Sequence, residues 1–256
     1  MTTTSPARPA AEVAAGLGTV LGVWAHPDDE AYLAGGLMAA AVGAGARVVC
    51  VTATRGELGT AEPGRWPPAR LAPLRDAELA ASLAVLGVTE HRQLGYPDGD
   101  CAAVPVAEAV GRLVEIVTEV RPDTVLTFGP DGMTGHPDHR RVSAWATAAL
   151  RQTGPSIAPR LLYATKTVRW CDRFDALHRD LQLFPPGLPP RVPVEEVAID
   201  LVLPDALLDR KIAALRAHAS QVAPLVEVLG EERFRSWVAN ECFRPASTSP
   251  MTTARG

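Results

Sequence analysis

The chain has no Cys-x-x-Cys pair: its four cysteines, Cys50, Cys101, Cys171 and Cys242, are widely separated. That spacing excludes a disulfide framework and a thiolate zinc site, so free thiols in a cytoplasmic protein are expected. There is also no Lys/Arg run, and a formal net charge of -4 with a pI near 5.9 leaves no basic face for nucleic acid or an anionic membrane. No apolar segment has the length and hydrophobicity of a membrane span, and 1–17, rich in Thr, Pro and Ala, lacks the apolar core of a signal peptide. No Gly-x-Gly-x-x-Gly fingerprint follows the first expected strand, which argues against a nucleotide-binding module. Histidine is sparse as well, six in the whole chain, so the places where it collects are informative. Chemistry on a small molecule is what these absences leave.

The densest chemistry is Trp24-Ala-His26-Pro-Asp28-Asp29-Glu30, where an imidazole and three carboxylates follow an apolar run. Residues 19–24 read as a buried strand, and 31–44, rich in Ala, Leu and Met, as a helix. Imidazole nitrogen and carboxylate oxygen are ordinary zinc ligands, so a His and two Asp on this turn suit a divalent metal. The acids equally suit a plain helix start, since Asp caps helices and Pro is at home in the first turn. Capping leaves His26 unexplained. A second cluster, Gly135-His136-Pro137-Asp138-His139, follows another short apolar run at 123–128. A catalytic zinc takes three protein ligands and keeps one position open, which two neighbouring loops can supply jointly.

The rest of the pattern predicts how the two loops meet. Residues 47–52, 91–94, 124–128 and 161–165 read as further strands, alternating with helices over 70–86, 104–120 and 138–151. Then 197–201 reads as a strand, 204–217 and 231–240 as helices, and the Pro-rich Phe184-Pro-Pro-Gly-Leu-Pro-Pro190, within 170–196, as a loop or lid. The length suits a single α/β domain over 18–244, with disordered segments at 1–17 and 245–256. The expected fold is Rossmann-like: a doubly wound, mostly parallel sheet with helices on both faces. In such a sheet the first and fourth strands are neighbours where strand order reverses, and ligands bind beyond their C-terminal ends. Topology alone therefore brings both clusters together.

With both clusters present, the chain resembles the PIG-L/LmbE-like family of zinc-dependent N-deacetylases, marked by a His-Pro-Asp-Asp-Glu turn and a later His-Pro-Asp-His. Arg75-Asp-Ala-Glu78-Leu79, Leu94-Gly-Tyr-Pro-Asp98-Gly99 and Ala217-His218-Ala-Ser220-Gln221 extend the resemblance over roughly 18–244. It implies Zn2+ held by His26, Asp29 and His139, Asp28 as general base, His136 at the oxyanion, and Asp138 orienting a histidine. It also implies loss of an acetyl group from a small N-acetylated sugar or glycoside, with Arg75 and Asp98 at positions that contact substrate in mycothiol-pathway deacetylases. Those enzymes carry a tyrosine two residues before the oxyanion histidine, where Thr134 stands here, so that group's polarisation of the carbonyl does not carry over.

On this reading Asp28 takes a water proton, charge develops on the carbonyl oxygen beside a protonated His136, and Asp28 returns the proton to the leaving amine. A zinc amidase for a larger acyl or thiol-conjugate substrate would use the same residues in a different pocket. A non-catalytic nucleotide- or sugar-binding module is the alternative from another class. Several candidates also have plain readings: Arg75 among leucines as a snorkelling surface residue, and Asp98 as part of a β-turn. Arg55 and Glu57 read as solvated loop, His218 as structural, and His91 and His178 as surface histidines. The sequence leaves homo-oligomerisation open.

Overall fold

The computed structural model describes residues 9–154 and 156–246. Its strands are β1 (Val20–Trp24), β2 (Val48–Thr54), β3 (Glu90–Tyr96), β4 (Thr124–Phe128), β5 (Arg160–Ala164), β6 (Lys166–Thr167), β7 (Arg191–Val192), β8 (Ile199–Val202) and β9 (Asn240–Pro245). Seven of them form one sheet in the order β3-β2-β1-β4-β5-β9-β8, while β6 and β7 pair separately. The pairings from β3 through β5 are parallel, with Val20 opposite both Val48 and Thr124; β9 runs antiparallel to β5 and β8. Every residue of β1, β2 and β4 is buried, which is why these strands read as continuous apolar runs and not as alternations.

The helices are α1 (Ala10–Ala15), α2 (Asp29–Gly43), α3 (Pro68–Leu86), α4 (Val106–Val120), α5 (Pro137–Gln152), α6 (Val168–Leu181), α7 (Asp205–Ala217), α8 (Ala219–Leu229) and α9 (Glu231–Val238). Strand order reverses after β1, so right-handed crossovers put α2 and α3 on one face and α4 and α5 on the other. The packing agrees: α2, α3 and α7 pack together, and α4 packs on α5. The expected switch point between the first and fourth strands is present, and one apolar core runs from Ala10 to Phe243.

Several segments differ from the sequence expectation. Residues 10–17, read as part of a disordered 1–17, form α1 and its exit, with Val13, Ala14 and Leu17 buried and the helix packed on α2. Six residues are too few to display a helical period, and burial of this small apolar face holds the segment. Pro245, expected in the disordered C-terminal end, closes β9 opposite Leu162, and the Ala246 N–H donates to the Leu161 carbonyl at 2.9 Å, while residues 1–8 and 247–256 of the two expected disordered ends lie outside the described residues. Ahead of the expected loop 184–190, where no element was expected, Val168–Leu181 form helix α6, capped by Thr167 Oγ1 accepting from the Trp170 N–H at 3.3 Å, with Trp170, Cys171 and Phe174 inward. The expected last helix stops at Val238, where Asn240 begins β9; α8, between two expected helices, was not anticipated.

One buried brace fixes the helix that carries the first cluster. Glu241 on β9 accepts from the Gly36 and Leu37 N–H groups of α2, each at 2.7 Å, and from Lys211 Nζ of α7 at 2.8 Å. Lys211 Nζ also donates to the Tyr32 carbonyl at 2.8 Å. A buried ion pair is tolerable when other hydrogen bonds share its charges, and here both Glu241 oxygens accept backbone N–H groups while Lys211 has a second acceptor in Tyr32. Gly36 lets the helix approach: a Cβ there would lie 2.4 Å from the Leu203 side chain.

Candidate active site

His26 leaves β1 and His139 sits in the first turn of α5, after β4, so adjacent parallel strands deliver the two rings to one point. His136 is the N-cap of α5, its Nδ1 accepting the Asp138 N–H at 3.2 Å, and Pro137 opens the helix. Asp28 occupies the N-cap position of α2, yet its side chain makes no capping bond and its φ is 110°. Such a conformation costs a non-glycine residue about 1–3 kcal/mol and marks a position held by its surroundings. Asp28 is therefore not explained by capping, whereas Asp29 and Glu30 accept the N–H groups of His26 and Asp28 at 2.8 and 2.9 Å.

The imidazoles of His26 and His139 approach through their inner nitrogens, His26 Nδ1 and His139 Nε2 being 3.0 Å apart. Their outer nitrogens face acceptors. His26 Nε2 is 3.1 Å from Asp98 Oδ1 and 3.3 Å from Asp138 Oδ2, while His139 Nδ1 is 3.0 Å from the Gly132 carbonyl and 3.1 Å from Thr134 Oγ1. A carboxylate and a carbonyl can only accept, so both outer nitrogens carry the hydrogens and both inner nitrogens are lone pairs. Two lone pairs at 3.0 Å require a proton or a cation between them. Asp29 adds a carboxylate, Oδ1 at 3.4 Å from His139 Nε2 and Oδ2 at 3.6 Å from His26 Nδ1. His26, His136 and His139 bring ligand atoms within 4.8 Å of one another, as do His26, Asp98 and Asp138, and such groups can hold a divalent metal.

The charges follow from burial and pairing. Burial alone would lower His26, but the Asp138 hydrogen bond, then Asp98 and Asp29, outweigh it and raise the ring to about 10. His139, buried and facing His26, is pushed well below the ordinary imidazole range. Burial would raise Asp138; His26 and the N–H groups of Gly99 and Cys101 hold it down to about 2. His136 is lowered by burial and by the nearby His26. With its Nδ1 already accepting a backbone N–H, it is a neutral ring that donates through Nε2, in place of the protonated imidazole expected from sequence. Phe128 stacks on His139 with centroids 4.1 Å apart and closes the site from below.

Arg75 is not a snorkelling surface residue. It is 3% exposed, and its guanidinium donates to the Gly56 carbonyl at 2.7 Å, to the Pro27 carbonyl, and to Asp28 Oδ2 at 3.1 Å. Burial raises Asp28 to about 7 against the pull of Arg75, with Asp29 adding to the rise. Asp98 is not simply a turn residue either: it holds His26 and accepts the Leu58 N–H at 2.8 Å, while both it and Arg75 line the cavity.

Other motif residues hold the frame. His218 is fully buried and structural as expected, 2.8 Å from Glu30 Oε1, and Glu30 Oε2 accepts the Asp28 N–H at 2.9 Å. Glu78 accepts from the Ser220 N–H and hydroxyl at 2.7 and 2.6 Å. Arg55 pairs with Asp76, and Glu57 accepts the Asp98 N–H at 3.0 Å, so this loop supports the site. His91 and His178 are partly buried, not surface residues: His91 bonds Thr52 Oγ1 at 3.0 Å and His178 accepts from Trp237 Nε1 at 3.0 Å. All four cysteines are free, as expected, and all four are buried.

The site opens into a cavity of about 590 Å³ whose far wall carries Trp170, Phe184, Trp237 and Lys166. Sequence reasoning missed that wall, although Trp170, Phe174 and His178 recur at the i, i+4, i+8 spacing of a single helix face. Among the described residues no helix is long and apolar enough to cross a membrane.

Two histidines and a carboxylate at the switch point of an open α/β sheet, with a second carboxylate beside them, define a metal-assisted hydrolase. Residues 21–150 match the PIG-L family, described as GlcNAc-PI de-N-acetylase. Among curated relatives, the 1D-myo-inositol 2-acetamido-2-deoxy-alpha-D-glucopyranoside deacetylase of Kineococcus radiotolerans is 35% identical, over 79% of this chain and 68% of that protein. The protein of the same name from Saccharomonospora viridis is also 35% identical, over 79% and 85% of the two chains. Among solved structures, the N,N'-diacetylchitobiose deacetylase of Pyrococcus horikoshii superposes with a TM-score of 0.60 at 23% identity, covering 92% of this chain and 88% of that one, a likeness of fold. The chain belongs to the PIG-L family.

Proposed function

We propose that the protein is a zinc-dependent hydrolase that removes the N-acetyl group from an amino sugar or a glycoside carrying one. The observation that carries this reading is the pair of inner imidazole nitrogens 3.0 Å apart, flanked by Asp29, with Asp28 alongside on Arg75. In this reading His26, Asp29 and His139 hold the ion. When bound, zinc polarises an amide carbonyl and lowers the pKa of a water toward ~7.

The protein's own groups do the rest. Asp28, raised toward neutrality, takes the water proton and passes it to the departing amine. Arg75 orients Asp28 and keeps it ionised enough to act as base. The Nε2–H of His136 donates to the developing oxyanion, and loss of one such donor typically costs ~10²- to 10³-fold in rate. Asp138 and Asp98 lock the His26 tautomer so that Nδ1 faces the ion. Thr134, where related deacetylases have tyrosine, steadies His139 instead of meeting the carbonyl.

The relatives' names make an N-acetylglucosaminyl inositol the first glycoside to assay, and Arg75 and Asp98 border the space where the sugar would lie. Four buried free thiols support a reducing, cytoplasmic setting. Acetate release from N-acetylated sugars and glycosides, measured against zinc content, tests the proposal. Release without bound metal would overturn it.

A further inference from the structure

Two buried lysines in this fold are paired very differently. Lys211 has its counter-ion within the protein, Glu241 at 2.8 Å. Lys166, 7% exposed, has none: its Nζ donates to the Asn240 carbonyl at 2.7 Å and lies 4.6 Å above the Trp170 ring, and among the described residues no carboxylate comes within 4.0 Å. An ammonium has three donors, and removing it from water is costly unless an anion completes its shell. Burial, with the charge of Lys211 adding, lowers Lys166 to about 8. Lys166 is among the residues that line the cavity, so an anion held there can complete its shell.

The rest of that wall is apolar and ringed. Trp170 and Trp237 lie 6.2 Å apart by centroid, Phe184 meets His178 edge-on at 4.9 Å, and Leu183 and Leu225 complete the surface. Trp237 spends its Nε1–H on His178, so its polar edge is already satisfied. A ligand covered in hydroxyls would bury them here with few partners, at a cost per unpaired group.

We propose that this wall is an aglycone subsite, and that the natural substrate is an N-acetylated amino sugar joined to an apolar, ring-bearing group whose single carboxylate pairs with Lys166. This rests on the deacetylase reading of the metal end and names the substrate class for it. The test uses the zinc-loaded full chain and acetate release from N-acetylglucosaminides of inositol, of 3- and 4-carboxyphenol, and of the matching carboxamides. For at least one carboxyphenyl glycoside, KM should lie about tenfold or more below that of its carboxamide, as a charge-assisted hydrogen bond requires. In Lys166→Met that ratio should fall to about one. Should Lys166→Met fail to fold, the ratio in the unaltered protein decides the matter alone. A ratio near one there, a preference that survives Lys166→Met, or an inositol glycoside bound more tightly than every aryl glycoside overturns the subsite. Acetate from none of the glycosides, with zinc bound, overturns the deacetylase reading itself.

Discussion

Arg75 Nη2 stands 3.1 Å from Asp28 Oδ2, and the carbonyls of Gly56 and Pro27 accept from the same guanidinium, so a buried cation is anchored against the proposed base. Asp28 works only when ionised, so the rate should fall as pH drops through its raised pKa of about 7. Arg75 pulls that pKa down. Arg75→Gln should therefore move the acid limb of kcat/KM to higher pH by about one unit or more. Lower activity with an unmoved limb would reduce Arg75 to a packing role.

Removing the base itself should separate chemistry from metal binding. Asp28→Asn keeps the side chain's shape, so zinc content should stay at the level of the unaltered protein while acetate release drops by about 10²- to 10⁴-fold. Asp29→Ala and His139→Ala should lose the metal. If instead Asp28→Asn emptied the site and Asp29→Ala left it full, the two aspartates would have exchanged roles. Metal analysis after gel filtration decides between these.

The groups behind the ligands should matter in graded fashion. Asp138→Asn loosens the hydrogen bond that sets the His26 tautomer and should weaken zinc binding by about 10- to 100-fold, read by competition with a chelator. Thr134→Val should do less, because His139 Nδ1 keeps the Gly132 carbonyl at 3.0 Å. An equal loss in both variants would speak against this ordering.

The buried His218–Glu30 pair, at 2.8 Å, should be visible in stability. Burial opposes the charge on His218, but Glu30 outweighs it and raises the folded pKa above 6.5, so this contribution is full below about 6.5 and fades as pH rises through the raised value. Burial would raise Glu30, yet His218 lowers it below 4.5, so its contribution is full above about 4.5 and fades as pH falls through the lowered value. Breaking one partner of such a pair costs about 3–5 kcal/mol. The difference in Tm between the protein and His218→Gln should be greatest between about pH 4.5 and 6.5 and shrink in alkali. A difference independent of pH would mean that the pair is not ionic.

The two clusters could be read from the sequence because each is local and because strand order alone makes β1 and β4 neighbours. What holds them could not. Asp98 and the N–H groups of Gly99 and Cys101 reach His26 and Asp138 from a turn some forty residues before α5, a contact that no local pattern announces. Helix α6 was hidden by the Arg and Asp residues between its aromatics and by the prolines that follow it. Asn240 looked like a helix end because α9 and β9 are separated by a single residue. Glu78 bonded to Ser220 ties α3 to α8, and Glu30 bonded to His218 ties the start of α2 to the start of α8, so several motif residues hold helices together.

Zinc titration of chelator-stripped protein, with acetate release followed from N-acetylglucosaminides, tests the central claim most directly. Activity should rise from the stripped baseline to a plateau at one zinc per chain, and Asp28→Asn should bind the same single equivalent while releasing no more than a trace of acetate. Acetate release that ignores the added zinc, or a chain that takes up no stoichiometric zinc, would contradict it.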